Sequence, residues 1–294
     1  MTIRDILFPM LSYPTATTAD SIERAVTWAT GLGAHIMGVT FELDIHSPVG
    51  LYAHPVHISG IFAAEHRKSA SNARDLVAAF EDICARQGTT RAGATHEHAV
   101  EHCSPTEVAA ILVDHARLRD LSVFPIKTED ESQQSLVEAL IFESGRPVLL
   151  LPETATRQLS SSFDRVAVAC QHSRPATRAD ADALPILRGA KHVHVVTVVD
   201  EKNLHKPGSG AELCKHLAGH GVEVTFDKVQ AKGRAVGDVL ARSVCDRAQH
   251  RLDGDGRLWP FKAAGVHSWG SDQARADLPL HVDTGLALNG QTFQ

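Results

Sequence analysis

The chain has 294 residues, 43% apolar and 22% charged, and its 29 basic and 35 acidic side chains leave a net charge of −6. This apolar content supports a packed core and excludes a disordered chain, and the length fits one large domain or two ordinary ones. A mildly acidic balance with no basic run gives neither nucleic acid nor an anionic membrane an electrostatic footing. The five cysteines (Cys84, Cys103, Cys170, Cys214, Cys245) are odd in number, widely spaced and free of any C-x-x-C pair. They point to a reducing compartment rather than a disulfide framework or a thiolate metal site. The start, Met1-Thr2-Ile3-Arg4-Asp5-Ile6, lacks a signal-peptide pattern, and no apolar run nears the ~20 residues that span a bilayer. A soluble, cytoplasmic protein is expected.

Ile6-Leu7-Phe8-Pro9 is a short apolar run of the kind that forms a buried parallel strand. After a Ser/Thr/Pro-rich stretch, Ala19 to Leu32 places Ile22, Ala25, Val26, Ala29 and Leu32 at helical spacing, closed by Gly33. His35 to Phe41 predicts the next strand, completing a βαβ opening. A helix over roughly Ala63–Arg86 and a strand near Thr95–Val100 follow. Ser104-Pro105-Thr106-Glu107 is a capping box with proline at the first helical position, ahead of a helix through Val108, Ile111, Leu112 and His115. Leu121–Phe124 predicts a fourth strand, Gln134–Phe142 a helix, and Val148–Leu151 a fifth strand. Alternation of strand and helix implies a parallel sheet covered on both faces.

A polar stretch, Thr154–Ser162, reads as a linker, and the plan then restarts. Asp164–Ala169 mirrors the first strand, Pro175–Leu187 the first helix, and His192–Val199 the second strand. A helix over Ala211–Ala218, a strand over Val222–Val229 and a helix over Val236–Arg247 continue it. The offset from Ile6 to Val166 is about 160 residues, so two units on one plan are expected. Their bounds are 1–153 and 163–250, followed by an irregular tail, 251–294. The fold class expected is α/β, with two tandem doubly wound (Rossmann-like or flavodoxin-like) five-stranded parallel-sheet domains, the second incomplete after about residue 245. Beyond Cys245 no stretch keeps a period of 2 or 3.6.

Candidate chemistry is sparse. His96, His98, His102 and Cys103 cluster, and His96 and His98 share a strand face, yet no acidic or second cysteine ligand is fixed beside them. They read as a solvated strand end, and His54 and His57 as part of a Pro-rich loop. His192 and His194 also share a strand face and read as surface or partner-packed. Asp253-Gly254-Asp255-Gly256 resembles a calcium loop, but the position that needs glutamate is Ala264. Gly208-Ser209-Gly210 precedes a helix but lacks the third glycine of a dinucleotide fingerprint. Cys103 beside His102 makes a poor nucleophile–base pair, because neighbours on a strand point apart. No catalytic residue and no metal ligand is assigned.

The tandem five-strand plan resembles the universal stress protein family. Phe142-Glu143-Ser144-Gly145-Arg146-Pro147-Val148-Leu149-Leu150-Leu151-Pro152 is similar to the closing strand of its tandem bacterial members. Asp182-Ala183-Leu184-Pro185-Ile186-Leu187 and His194-Val195-Val196-Thr197-Val198-Val199-Asp200 are similar to the first helix and second strand of their second copy. The resemblance covers residues 1 to about 245. It implies a stress-response binding protein whose nucleotide-binding relatives hold ATP at the carboxyl ends of the strands, with slow hydrolysis at most. It implies adenosine contacts at Gln171 and Val198, and pairing either between the two copies or in a homodimer. The family's phosphate loop has the form G-x-x-G-x9-G-[ST or A], in which glycine backbone and a helix start receive the phosphates. The first copy has Phe124-Pro125-Ile126-Lys127-Thr128-Glu129-Asp130-Glu131 there. With no glycine and three carboxylates, that stretch repels phosphate. Loss of the loop leaves a nucleotide-independent interaction scaffold as the alternative function. An enzyme of the doubly wound class is a third reading, disfavoured because no nucleophile–base set is visible.

The second copy lacks the loop in its written frame, and the genetic code offers a reason. Tryptophan has the single codon TGG. Read one nucleotide later, Trp259-Pro260 must give GGC and Trp269-Gly270 must give GGG, both glycine. Codons 260–268 lie between them, matching the spacing of the loop. The shifted codons of Asp253–Ala264 can encode MVMGGYGHSRLR, and the next ones EFILGGAT. A frame change near codons 245–250 accounts for the tail.

Overall fold

A computed structural model describes residues 2–46, 56–88, 95–127, 131–153, 163, 165–170, 174–199, 209–234 and 239. In chain order its elements are β1 (Asp5–Met10), α1 (Ala19–Leu32), β2 (His35–Leu43), α2 (Val56–Gly88), β3 (His96–Cys103), α3 (Val108–Arg117), β4 (Leu121–Ile126), α4 (Glu131–Glu143) and β5 (Val148–Pro152). They are followed by β6 (Arg165–Ala169), α5 (Arg174–Gly189), β7 (His192–Val199), α6 (Ser209–Gly219) and β8 (Val224–Gln230). The first nine form a five-stranded parallel sheet of order β3-β2-β1-β4-β5, and the rest a three-stranded parallel sheet of order β6-β7-β8. The fold class is therefore the α/β one read from the sequence, with a smaller, incomplete second sheet.

β1, β2, β4 and β5 are apolar on both faces because helices cover both. Ile6, Phe8 and Ile36 pack with Trp28 of α1 and Phe80 of α2. Leu7, Val39 and Phe41 pack on the other side with Leu112 of α3 and Leu140 of α4. The ends of α1 follow its sequence. Thr18 accepts a hydrogen bond from the Ser21 N–H, and Gly33, at φ 67°, takes the left-handed conformation that closes the helix. Only half of the expected capping box forms: the Glu107 N–H goes to the Ser104 carbonyl and not to its hydroxyl, and α3 begins at Val108, so Pro105 lies in the turn before the helix. The Ser104 N–H and hydroxyl donate to Glu107 Oε2 at 2.8 and 2.7 Å, ahead of α3. The same two bonds hold the Glu107 carboxyl below its usual range.

Several boundaries differ from the sequence reading. α2 starts at Val56, so His57 stands on a helix; His54 lies outside the described residues. Between Pro55 and Gly88 the sequence has one breaker, Gly60, and a helix tolerates an internal glycine at about 1 kcal/mol. β3 runs on to Cys103, because an edge strand with His and Glu on both faces has no apolar alternation to mark its end. α4 begins at Glu131, and β4 continues through Pro125 to Ile126. The helix read at Val236–Arg247 falls largely outside the described residues, as does the whole of the tail.

Proline shapes the middle of the first sheet. β1 pairs with β2 from Asp5↔His35 to Met10↔Thr40, whereas β1 and β4 pair only at Ile6↔Leu121 and Leu7↔Ser122. Pro9 and Pro125 stand just beyond and remove two backbone donors. The two strands part there, opening a crevice at their carboxyl ends. At the opposite end Asp120 sets the register, accepting from the backbone N–H of Arg4 and Asp5 at 2.9 and 3.2 Å.

The second sheet packs Val168, Val193 and Val195 against Ala183 and Leu187 of α5 and Leu217 of α6. It touches the first unit through Ile186, which joins the Trp28 core, and through Phe163, whose ring centroid lies 6.4 Å from that of Trp28. Gly210 lets α6 lie close on this sheet. A Cβ there would stand 2.1 Å from the Phe226 ring and 2.8 Å from Thr197 Oγ1. Gly210→Ala should therefore destabilise the second unit by about 1–3 kcal/mol. Thermal unfolding should show an earlier step for that unit, with the first unit's transition unmoved.

Candidate functional site

In an open parallel sheet, ligands enter where the strand order reverses, outside the carboxyl ends of the strands. Here that point is the gap between β1 and β4. Lys127 follows β4 and Glu153 follows β5, and their side chains meet on the β4 side of the gap with Nζ 3.4 Å from Oε2. Glu153 also accepts from the Thr18 N–H at 3.3 Å, and Lys127 Nζ donates to the Ala16 carbonyl at 3.4 Å. The Lys127 N–H is taken by Gln133 Oε1 at 2.7 Å. Behind them Arg24, 1% exposed, donates to the Pro152 carbonyl at 2.7 Å and lies 3.0 Å from Asp20 Oδ2. Burial lowers the Arg24 pKa, while Asp20 and Glu153 oppose that shift.

The crevice is thus filled by Lys127, Glu153 and the buried Arg24 of the chain itself, with the exposed Asp20 pairing Arg24 along α1. An incoming phosphate would have to displace Glu153 from Lys127 while facing its charge. The neighbouring strand ends are equally committed. The Ser12 hydroxyl donates to the Phe41 carbonyl and lies 2.9 Å from the Ser69 hydroxyl, and Asn72 donates to the Ser12 carbonyl at 2.8 Å. Ser69 Oγ accepts from the Leu43 N–H at 2.9 Å. Arg24→Ala would leave the Pro152 carbonyl without its donor and a cavity where the buried guanidinium stood, while the exposed Asp20 would turn to water. The expected loss is about 3 kcal/mol in urea unfolding.

The matching place in the second unit is the carboxyl end of β6 and β7. Cys170 closes β6, its N–H donating to the Val196 carbonyl at 2.9 Å. Burial pushes its thiol up, and hydrogen bonds from Thr197 and Ser209 partly offset this. Val198, one of the two expected adenosine contacts, is 5% exposed and packs with Val196, Ala231 and Val239. The other, Gln171, lies outside the described residues. Sequence reading passed over Asp180 on α5, whose carboxyl burial pushes up to about 6. Its position within an otherwise apolar helix face was the available signal. A raised carboxyl binds its proton more readily in the folded chain than in the unfolded one. Its stabilising contribution is complete below the ordinary carboxylate range and is lost as pH rises through about 6. Asp180→Asn should therefore raise the melting temperature at pH 7.5 and change it little at pH 4.

The histidine-rich strand separates into pairs. His98 lies 3.4 Å from Glu81, His102 3.7 Å from Glu42, and His115 Nε2 2.9 Å from Glu101, while His96 sets its ring edge-on to Phe80. Among the described residues no group of three or more His, Cys, Asp or Glu could hold a metal ion. Cys103 is buried and its thiol raised, and burial pushes Cys84 up to about 12, so neither is a ready nucleophile. No described helix is long and apolar enough to cross a membrane.

No family model matches the sequence, and no curated protein matches it. Solved structures do. A universal stress protein from Archaeoglobus fulgidus DSM 4304 superposes with a TM-score of 0.55 at 14% identity, covering 85% of this chain and 82% of that one. A universal stress protein from Lactobacillus plantarum covers 51% of this chain and 99% of its own, at 14% identity and a TM-score of 0.36. A functionally unknown protein from Pseudomonas aeruginosa PAO1 is 13% identical over 84% of this chain and 78% of its own, with a TM-score of 0.46. The first of these carries the comparison: in backbone architecture the chain has the fold of a universal stress protein.

Proposed function

We propose that the chain is a stress-response binding protein of the universal stress type, in units spanning 1–153 and 163–250, whose first unit works without a nucleotide. The observation that carries this reading is the Lys127–Glu153 pair closing the β1–β4 crevice. A site that already neutralises its own charges offers an anion neither free donors nor net positive potential. Any adenosine contact belongs to the second unit, at Gln171 and Val198, and ATP is the cofactor the fold would accept there. The written frame supplies no phosphate loop to that unit. The alternative, a nucleotide-independent interaction scaffold, is favoured by the same filled crevice. The reading places the protein in the cytoplasm, with neither nucleic acid nor membrane as partner. Its copies pair with each other or within a homodimer.

Titration with Mg–ATP in a calorimeter tests this. The chain as written should show no saturable binding tighter than about 1 mM, an affinity equivalent to about 4 kcal/mol. Saturable binding that Lys127→Ala abolishes would place a nucleotide in the first unit and overturn the proposal.

A further inference from the structure

The two sheets match element for element as far as the second goes. β6, β7 and β8 correspond to β1, β2 and β3, with α5 and α6 in the places of α1 and α2. The match fixes what the second sheet lacks. β1 is an interior strand, paired with β2 on one side and β4 on the other. Its counterpart β6 pairs with β7, from Arg165↔His192 to Ala169↔Val196, and among the described residues has no strand on its outer edge. One face of the sheet is covered by α5 and α6. On the other face, Ala169, Val196, Val198 and Val229 meet Ala231 and Val239, where the first sheet has α3 and α4. Ala167, on this same face, is exposed. A parallel strand of interior type with no partner on one edge among the described residues calls for a further strand, reached through a helix, and a closing strand beyond it.

We propose that the same gene encodes those elements one nucleotide out of register from about codon 250, and that the open edge of β6 is the seat of the first of them. Three stretches support this, and two can be judged against the chain's own first unit. The shifted codons 251–254 can encode Asp-Leu-Met-Val. β4 and the residue before it read Asp120-Leu121-Ser122-Val123, with identical residues at three of the four positions. That aspartate is the residue whose carboxylate registers β4 on β1. The shifted codons of Thr284–Leu288 can encode Pro-Val-Leu-Leu-Leu, the sequence of Pro147–Leu151 at β5. Between the two stretches fall the glycines forced by Trp259 and Trp269. Leu121 to Pro147 spans 26 positions and codons 252 to 284 span 32, so the shifted segment is longer where its glycine-rich loop stands. The order is strand, loop, closing strand, as the open sheet requires. In the written frame the same nucleotides give no period at all, as expected when a coding pattern is read out of register. This inference rests on the fold and not on the ligand reading, so a failed ATP titration leaves it as it is.

The amino-acid sequence forces the two glycines and leaves the other positions to the third base of each codon, so the nucleotide sequence is decisive. Sequencing codons 240–294 on both strands should show the bases that yield Asp-Leu-Met-Val and Pro-Val-Leu-Leu-Leu in the shifted frame, with no stop codon between them. A stop codon, or other residues at those positions, would overturn the proposal. The protein-level test compares the chain as written with one made after deleting a single nucleotide within codons 245–250, by amide hydrogen exchange. Exchange at Val166–Ala169 should slow at least about tenfold in the second chain, while β1–β5 stay unchanged and report that both fold. Equal exchange in the two chains would show that the shifted segment does not seat on β6. If the second chain does not fold, the proposal is overturned as well, since the segment is held to complete the domain.

Discussion

The β1–β4 contact is the constraint on which the first unit depends. Two prolines, Pro9 and Pro125, take two donors out of the ladder, and pairing stops at Leu7↔Ser122. A gap between central strands of a parallel sheet lies in low dielectric, so whatever fills it must be neutral overall and hydrogen-bonded. Arg24, Lys127 and Glu153 meet that requirement through the Lys127–Glu153 pair and the backbone of Ala16, Thr18 and Pro152, with the exposed Asp20 pairing Arg24 along α1. The place where this fold ordinarily receives a ligand is thereby turned into part of the core. The rest of the unit is arranged around it: α1 delivers Arg24, and the loop before α1 delivers the carbonyl and the N–H that hold Lys127 and Glu153.

The second unit presents the opposite condition. Its strands β6–β8 form a well-paired ladder, and α5 and α6 bury one face. Among the described residues, β6 nevertheless has no strand on the outer side where β1 pairs with β4. Exposed edges of this kind are normally blunted by charge, proline or a covering element. In β6 the sequence Arg-Val-Ala-Val-Ala provides a single charge at its start. The contact through Ile186, Trp28 and Phe163 ties this unit to the first.

Much of the architecture was legible from residues because buried parallel strands advertise themselves. Ile6-Leu7-Phe8 and Val148–Leu151 are apolar without alternation, Val193–Val199 is broken only by His194 and Thr197, and glycines at Gly33 and Gly145 mark the turns. The errors fell where local signals are weak. α2 was read too short, because a polar helix with one internal glycine has little apolar period at its start. β3 was read too short for the related reason that an edge strand rich in His and Glu lacks a patterned face. The ion pair at the site was not legible. Lys127 and Glu153 are 26 positions apart in sequence, and neither carries a motif.

By itself, the sequence determined the order of strands and helices, the repetition of the plan and the absence of a glycine loop in the first copy. Each of these is a local property, written in periodicity, capping and composition. The tertiary structure decided what the absence means. Only the meeting of β4, β5 and the loop before α1 brings Lys127 onto Glu153 and closes the crevice. Only the sheet order shows that β6 matches the interior strand β1 while having one strand neighbour among the described residues. Charge pairing and strand adjacency are long-range relations, fixed when the sheet assembles and not by any window of residues read alone.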